Sequence, residues 1–183
     1  MIKSVLRYGF AAILVCGMAL TPAFGRAEDN KEYLVKAAFI YNFVKFIEWP
    51  GELAIGKQSS IDVCILGDSP LRKTSDVFKA ASTAKLSLSL VEEKNWKNAP
   101  SHCHILFISD SEEGKVGEIL AGLKGQPVLT VSDIDHFAED DGMIGFVNSD
   151  NKIKLVVNTK STAAAGMKAD AQLLEIALKV IDR

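Results

Sequence analysis

A serine and a later Asp-x-x-His group are the residues in this sequence whose types and order could perform catalysis. A Gly-Asp-Ser sequence ending at Ser69 directly follows an apolar run that predicts a strand, and a predicted helix starts at Pro70. A serine at such a turn is exposed and lies near helix N-terminal amides that could hold an oxyanion. With Asp133 and His136 it forms a formal catalytic triad for nucleophilic hydrolysis.

These two short blocks resemble the nucleophile block and the late block of GDSL-type hydrolases, but the remainder of that pattern is incomplete. Pro70 replaces the expected leucine, and no convincing glycine or Gly-x-Asn-Asp block supplies the other oxyanion donors. Two predicted strands also separate His136 from the final helix, which the late block should directly precede. In the structural interpretation, Asp68 and Ser69 cap a helix and Asp133 caps a short turn.

A second group with potential chemistry is His102-Cys103-His104, which places three metal-binding residue types side by side. Neighbouring side chains on an extended segment point to opposite faces, and no fourth ligand follows at a recognised spacing. We therefore predict no metal and no cofactor. No phosphate-binding glycine loop is present in the sequence either, so nucleotide hydrolysis is not indicated. The lack of an obvious active site favours a binding module.

The composition limits the classes of protein that can carry these residues. The chain has 183 residues, of which 48% are hydrophobic, 24% charged and 8% aromatic, as in one ordinary globular domain. Its 21 basic and 23 acidic residues form no long run of one sign, so neither nucleic acid nor a polybasic membrane contact is indicated. The longest apolar run, residues 10–20, is too short for a bilayer-spanning helix, which needs about 20 residues.

The N-terminal segment is typical of a cleavable secretory signal. Lys3 and Arg7 precede the apolar run, and small residues follow Pro22. We predict that residues 1–27 are removed and that residues 28–183 form a single exported domain.

Export also determines what is expected of the cysteines. Removal of the signal takes away Cys16 and leaves two cysteines, Cys64 and Cys103. In an oxidising compartment a disulfide between two remaining cysteines is the default expectation.

The first helix of the mature chain is predicted over residues 32–49, where apolar residues recur at three- and four-residue steps until Pro50. Its apolar arc is wider than one packed face needs. The helix is therefore either covered on both sides or presents an apolar strip to a partner. Phe39, Phe43 and Trp49 are the candidate partner-binding residues, because aromatic side chains are enriched at binding hot spots.

Strand and helix patterns alternate along the rest of the chain. Strands are predicted over residues 61–66, 86–90, 104–109, 127–131, 143–147 and 153–157, and helices over 70–80, 112–123 and 170–181. The last two strands flank an Asn-Ser-Asp-Asn turn and form a predicted hairpin. This order predicts an α/β fold, a three-layer α/β/α sandwich with a mixed, largely parallel sheet.

Several segments taken together resemble the YfiR family. The first is VKAAFIYNFVKFIEWP at residues 35–50, and the others follow in the order found in that family. They cover residues 63–67, 103–108, 129–133, 142–146, 151–155 and 164–168. The resemblance spans essentially the whole predicted mature chain and is more specific than the two hydrolase blocks.

The resemblance implies a periplasmic regulator of three-layer fold that represses a membrane-anchored diguanylate cyclase by binding the cyclase's periplasmic sensor domain. It implies no catalysis. It also implies that Cys64 and Cys103 form the redox-sensitive disulfide of such repressors, whereas the second disulfide of familiar members has no counterpart in this sequence. A small secreted serine hydrolase and a small-molecule sensor domain are the alternatives, and a homodimer is left open.

Overall fold

The computed structural model describes residues 25–51 and 60–182. Most of the predicted signal segment, residues 1–24, lies outside the described part of the chain. The first element of the described chain is helix α1, Gly25–Phe46, which is 22 residues long. Among the described residues, no helix is both long enough and apolar enough to cross a membrane.

Helix α1 ends three residues earlier than the sequence predicts. Ile47 and Glu48 instead form strand β1, which pairs antiparallel with strand β8, Lys168–Ala169. The carbonyl oxygen of Phe46 accepts a 2.8 Å hydrogen bond from the Asp170 N–H group. Residues 168–170 thus supply the hydrogen-bond partners that another helical turn would have supplied. The apolar spacing continues to Trp49, but residues 47 and 48 are a strand because of this pairing.

A seven-stranded sheet forms the centre of the fold. Its strands are β2 Ser60–Leu66, β3 Ser87–Glu93, β4 Ile105–Ile108, β5 Leu129–Ser132, β6 Ile144–Ser149, β7 Lys152–Asn158 and β9 Lys179–Ile181. They lie in the order β3-β2-β4-β5-β6-β7-β9. All neighbouring pairs are parallel except β6 and β7, which are antiparallel. The prediction of a mixed, largely parallel sheet is confirmed.

The antiparallel pair β6–β7 is the predicted hairpin. Asp150 and Asn151 at its tip have φ values of 53° and 56°. Two consecutive residues in the left-handed region give the turn whose twist matches that of the two strands, and Asp and Asn tolerate this region better than most residues.

Helices cover both faces of the sheet and make three layers. The remaining helices are α2 Ser75–Ala81, α3 Val116–Leu123, α4 Thr159–Ala164 and α5 Ala171–Ile176, with short 3-10 helices at Pro70–Thr74, Trp96–Ser101 and Asp110–Lys115. On the interior strand β2, Val63 packs with α1, α2 and α5 in one apolar cluster, whereas its neighbour Cys64 packs with α3 in the other. Strands buried on both faces read as continuous apolar runs, as β2 and β4 do.

The predicted final helix over residues 170–181 is wrong in its second half. Helix α5 covers only Ala171–Ile176, and the Asp170 carboxylate caps its N-terminus with a 2.8 Å hydrogen bond. The Leu178 N–H group then bonds to the Leu155 carbonyl at 2.8 Å, and β9 extends the sheet beside β7. Hydrogen bonding to the open sheet edge therefore replaces a further helical turn.

Candidate functional site

An open cleft of about 540 Å³ lies where the carboxyl ends of the parallel strands meet helix α1. The strand order reverses between β2 and β4, because β3 lies on one side of β2 and the later strands lie on the other. In open α/β sheets, ligands bind outside the carboxyl ends of the strands near such a reversal. The cleft walls include Tyr33 and Lys36 from α1, Pro70 after β2, Asp110 after β4 and Asp133 after β5.

A buried lysine is the centre of the polar network in this cleft. The Lys36 side chain is only 3% exposed, and its Nζ atom lies 2.6 Å from Glu32 Oε1 and 2.5 Å from Asp133 Oδ2. The Tyr33 hydroxyl donates a 2.9 Å hydrogen bond to the same Asp133 oxygen, and Lys36 Nζ lies 4.3 Å from the centre of the Tyr33 ring. A buried ammonium group persists only when it is paired and hydrogen-bonded, so these partners fix Lys36 in the wall.

The Tyr33 phenol is held in its protonated form. Burial raises the pKa of Tyr33 well above the ordinary value of 10, and the negative charge of Asp133 raises the pKa further. The nearby Ser69 side chain lowers the pKa of Tyr33, but burial and Asp133 outweigh it. Near neutral pH, Tyr33 is therefore a fixed proton donor that links helix α1 to the end of β5.

Two buried oxygen atoms beside this network lack a hydrogen-bond partner among the described residues. They are Asp133 Oδ1 and Ser109 Oγ. Ile108 and Ser132 face each other on β4 and β5, so Ser109 and Asp133 follow at adjacent strand ends. Buried polar atoms in folded proteins are nearly always satisfied by a protein group, a water or a ligand. Asp133, which lines the cleft, therefore carries a buried carboxylate oxygen behind the cleft wall that no described group hydrogen-bonds.

The structure does not assemble the alternative catalytic triad through hydrogen bonds. Ser69 Oγ accepts a hydrogen bond from the Leu71 N–H group and caps the 3-10 helix that follows, as the structural interpretation predicts. The Asp133 carboxylate accepts from Tyr33 and Lys36. His136 lies in the wall of a separate cleft.

The predicted cap of the turn at Asp133 is wrong in detail. The Ser132 hydroxyl, rather than the Asp133 carboxylate, accepts a 3.0 Å hydrogen bond from the Ile134 N–H group. Asp133 is therefore free of that structural role and turns towards helix α1.

The structure places the three aromatic partner candidates at different depths. Phe43 and Trp49 are buried in the apolar cluster on the α1 face of the sheet. Phe39 is half-buried, with its ring centre 6.1 Å from that of Phe146. The outer side of α1 instead exposes Leu34 and Val35, which are 43% and 44% exposed. Sequence reasoning missed these two residues, although the unusual width of the apolar arc was the signal that could have found them.

Cys64 and Cys103 form a disulfide, which agrees with the prediction from the cysteine count. Cys64 lies within β2, and Cys103 lies between the 3-10 helix Trp96–Ser101 and β4. Their Cα atoms are 5.7 Å apart and 39 residues separate them in sequence. Both side chains are buried with helix α3, so the bond lies on the face of the sheet opposite α1.

The two histidines that flank Cys103 have different surroundings. His102 Nε2 lies 3.1 Å from Glu93 Oε2 beside the disulfide, and a ring nitrogen of His102 lies within 4.8 Å of both sulfur atoms. His104 Nδ1 accepts a 3.1 Å hydrogen bond from the Asp62 N–H group, and burial lowers the pKa of His104. The predicted divergence of neighbouring side chains thus holds for Cys103 and His104 but not for His102.

The fold is a three-layer α/β domain with a polar cleft at the carboxyl ends of its parallel strands. The site has a charged, hydrogen-bonded wall but lacks a hydrogen-bonded nucleophile and base among the described residues. The chain belongs to the YfiR/HmsC-like family, whose model matches residues 33–178. This family is periplasmic, and it is regulatory rather than catalytic.

Two solved structures share the fold at low sequence identity. The ABC domain from Streptococcus pneumoniae, solved in complex with L-Trp, has a TM-score of 0.54 and 12% identity over 84% of this chain. A conserved domain protein from Vibrio cholerae O1 biovar eltor has a TM-score of 0.51 and 7% identity over 81% of this chain. The match covers 60% of the length of each of these two proteins. No curated protein matches the sequence.

Proposed function

We propose that this chain is an exported periplasmic regulatory protein that represses a membrane-anchored diguanylate cyclase by binding the cyclase's periplasmic sensor domain. The observation that carries the proposal is the family match over residues 33–178, which spans nearly all of the described sheet and its helices. In this proposal the chain acts by binding and performs no reaction of its own.

Helix α1 provides the docking surface in this proposal. Leu34 and Val35 are exposed on its outer side, next in sequence to Tyr33 and Lys36, which reach into the cleft. Exposed apolar side chains that a rigid helix holds in place are typical anchors for a protein partner. Among the aromatic candidates, the half-buried Phe39 is the one that could contribute to this surface, whereas Phe43 and Trp49 are buried in the core.

The test is binding of the purified protein to the periplasmic domain of the cyclase. Leu34→Glu and Val35→Glu place a charge on the docking surface, and each should weaken binding at least tenfold without lowering the melting temperature. Leu178→Glu is the matched control, because Leu178 is also an exposed leucine, 56% exposed against 43% for Leu34, and lies beside β9, away from α1. Wild-type affinity in both α1 variants would rule out this surface, and no binding by the wild-type protein would rule out the function.

The cleft supports a second candidate function, a small-molecule sensor. Four carboxylates line it, Glu32, Asp110, Asp133 and Asp135, and Lys36 is the one basic side chain among the described lining residues, so the charge of the cleft favours a compact organic cation. Asp133 also keeps one buried oxygen without a partner among the described residues, so its carboxylate charge is only partly satisfied by Lys36 and Tyr33. Because Tyr33 and Lys36 belong to α1, a ligand that contacts them would act directly on the proposed docking helix.

Thermal unfolding with defined probes tests the sensor function. Cadaverine should raise the melting temperature in a saturable way, and the neutral alcohol pentanol should not. L-Trp belongs in the same series because the Streptococcus pneumoniae domain of similar fold was solved with it. Asp110→Asn should weaken the amine effect without a change in fold. If neither amine probe shifts the midpoint at millimolar concentration, the sensor function is wrong, and the cyclase proposal is unaffected.

A further inference from the structure

We propose that reduction of the Cys64–Cys103 disulfide creates a zinc site in which the two thiolates and the His102 ring are the protein ligands. In the oxidised protein, one donor atom from each of these three residues already lies within 4.8 Å of the others. Zinc in proteins takes sulfur and imidazole ligands in a tetrahedral arrangement, with two bound sulfurs about 3.8 Å apart at a Zn–S distance of about 2.3 Å. A Cα separation of 5.7 Å suits such a pair of ligands.

The local backbone explains why His102 converges on the sulfur atoms. It follows the 3-10 helix Trp96–Ser101, at φ −153° and ψ −22°, and so lies outside the extended strand. Successive side chains therefore point to opposite faces only from Cys103 onwards. His104 points away from the disulfide, and its Nδ1 atom accepts a hydrogen bond from the Asp62 N–H group. Neighbouring residues of a strand cannot bind one metal ion together, but this restriction does not apply to His102 and Cys103, because His102 lies outside the strand.

Glu93 holds the imidazole of His102 beside this site by its Nε2 atom, which leaves Nδ1, now 3.2 Å from the Ser101 hydroxyl, as the nitrogen that zinc would take in exchange for that contact. Its Oε2 atom lies 3.1 Å from His102 Nε2, and its Oε1 atom accepts a 2.7 Å hydrogen bond from the Asn95 N–H group. The Glu93 side chain is 7% exposed. A buried carboxylate that fixes a histidine ring is the usual outer partner of a zinc-bound histidine, and its loss typically weakens metal binding about 10- to 100-fold.

Charge and access also suit zinc. Two thiolates neutralise Zn²⁺, so the loaded site adds no net charge to a buried position. Cys64 and Cys103 are buried, but the His102 side chain is 38% exposed and gives the ion a route from solvent. Solvent water completes the fourth position.

The chemistry balances in two steps. A dithiol reductant supplies two electrons and two protons, the S–S bond breaks, and two thiols form while the reductant becomes a disulfide. A phosphine reductant supplies the two electrons and becomes its oxide, and one water molecule provides the oxygen of that oxide and the protons of the two thiols. Zinc binding then forms two Zn–S bonds and releases both thiol protons to solvent. In the oxidised protein the same sulfur atoms are bonded to each other, so the site does not form.

The test measures zinc bound by the full purified protein before and after reduction with a phosphine, with Zn²⁺ present during the reduction. Elemental analysis after gel filtration should find one zinc per reduced chain and none per oxidised chain. Cobalt in place of zinc should give a thiolate-to-metal charge-transfer band. His102→Ala should weaken zinc binding at least tenfold and Glu93→Gln about 10- to 100-fold. His136→Ala is the control and should leave zinc binding unchanged.

Folding is measured on the same samples by circular dichroism. Equal zinc in oxidised and reduced protein would overturn the proposal, and so would a folded reduced protein that binds none. A reduced chain that unfolds equally with and without zinc would overturn it as well, because the site needs the fold to bring β2 and the segment before β4 together.

Discussion

At the scale of single residues, the cleft is organised by one buried cation rather than by a nucleophile. Lys36 bonds to carboxylates on either side, and Asp133 connects it to the hydroxyl of Tyr33. Removing one member of a buried charge pair leaves the other charge uncompensated, which is costly. The network therefore holds helix α1 against the strand ends.

The raised pKa of Tyr33 predicts a specific stability change at high pH. The folded chain holds the Tyr33 proton more tightly than the unfolded chain, whose tyrosine pKa is 10. The stability that Tyr33 adds is therefore fully present below pH 10 and is lost as the pH rises above that value. In urea unfolding from pH 8 to pH 11, wild type should lose more unfolding free energy than Tyr33→Phe. Parallel declines in the two proteins would contradict this assignment.

Sequence reasoning found some of these residues for a different reason. The sequence indicates Ser69 and Asp133 as members of a catalytic triad. In the structure both lie near the cleft, but Ser69 caps a 3-10 helix and Asp133 pairs with Lys36. Lys36 and Tyr33 carried no recognisable catalytic pattern. Their role depends on a contact across about 100 residues of chain, which no local spacing encodes.

At the scale of elements, the predictions succeeded where hydrophobic burial decides the structure. The continuous apolar runs of β2 and β4 and the hairpin β6–β7 are confirmed. The predictions failed at the end of α1 and after α5, where pairing with a distant strand competes with a helical pattern. Helix α4 was also missed, because its sequence TKSTAA is short and its start depends on the Asn158 cap.

Helix α1 predicts a contrast between its two sides. Phe43 is fully buried, so Phe43→Ala should lower the unfolding free energy by about 3 to 5 kcal/mol through lost burial and a cavity. Leu34→Ala, on the exposed side, should cost about 0.5 kcal/mol or less. Urea denaturation of both variants checks the difference. Similar costs for the two would mean that Leu34 is packed and is not part of a docking surface.

At the scale of the whole molecule, the disulfide lies on the α3 face of the sheet, and the cleft adjoins helix α1 on the other face. The bond ties β2 to the segment before β4, next to helix α3, whereas the cleft adjoins α1. The strand order of the sheet reverses between β2 and β4, and the cleft lies at the carboxyl ends of these strands. Loss of the bond therefore acts on the two strands that also shape the cleft.

The disulfide should contribute substantially to stability. In the chain-entropy model, a bond across 39 residues is worth about 4 kcal/mol. Cys64→Ala with Cys103→Ala should lower the urea midpoint accordingly, and labelling of the unfolded, unreduced wild-type protein should find no free thiol at either position. Two reactive thiols per chain, or an unchanged midpoint in the double variant, would contradict the role of the bond as a staple.

The most direct test of the central claim is the cellular level of cyclic-di-GMP in the host of this protein. Deleting the gene should raise that level, and wild-type protein supplied from a plasmid should restore it. Protein carrying Leu34→Glu and Val35→Glu, present at wild-type abundance in the periplasm, should fail to restore it, whereas Leu178→Glu should restore it fully. An unchanged cyclic-di-GMP level after deletion would contradict the claim that this chain represses a diguanylate cyclase.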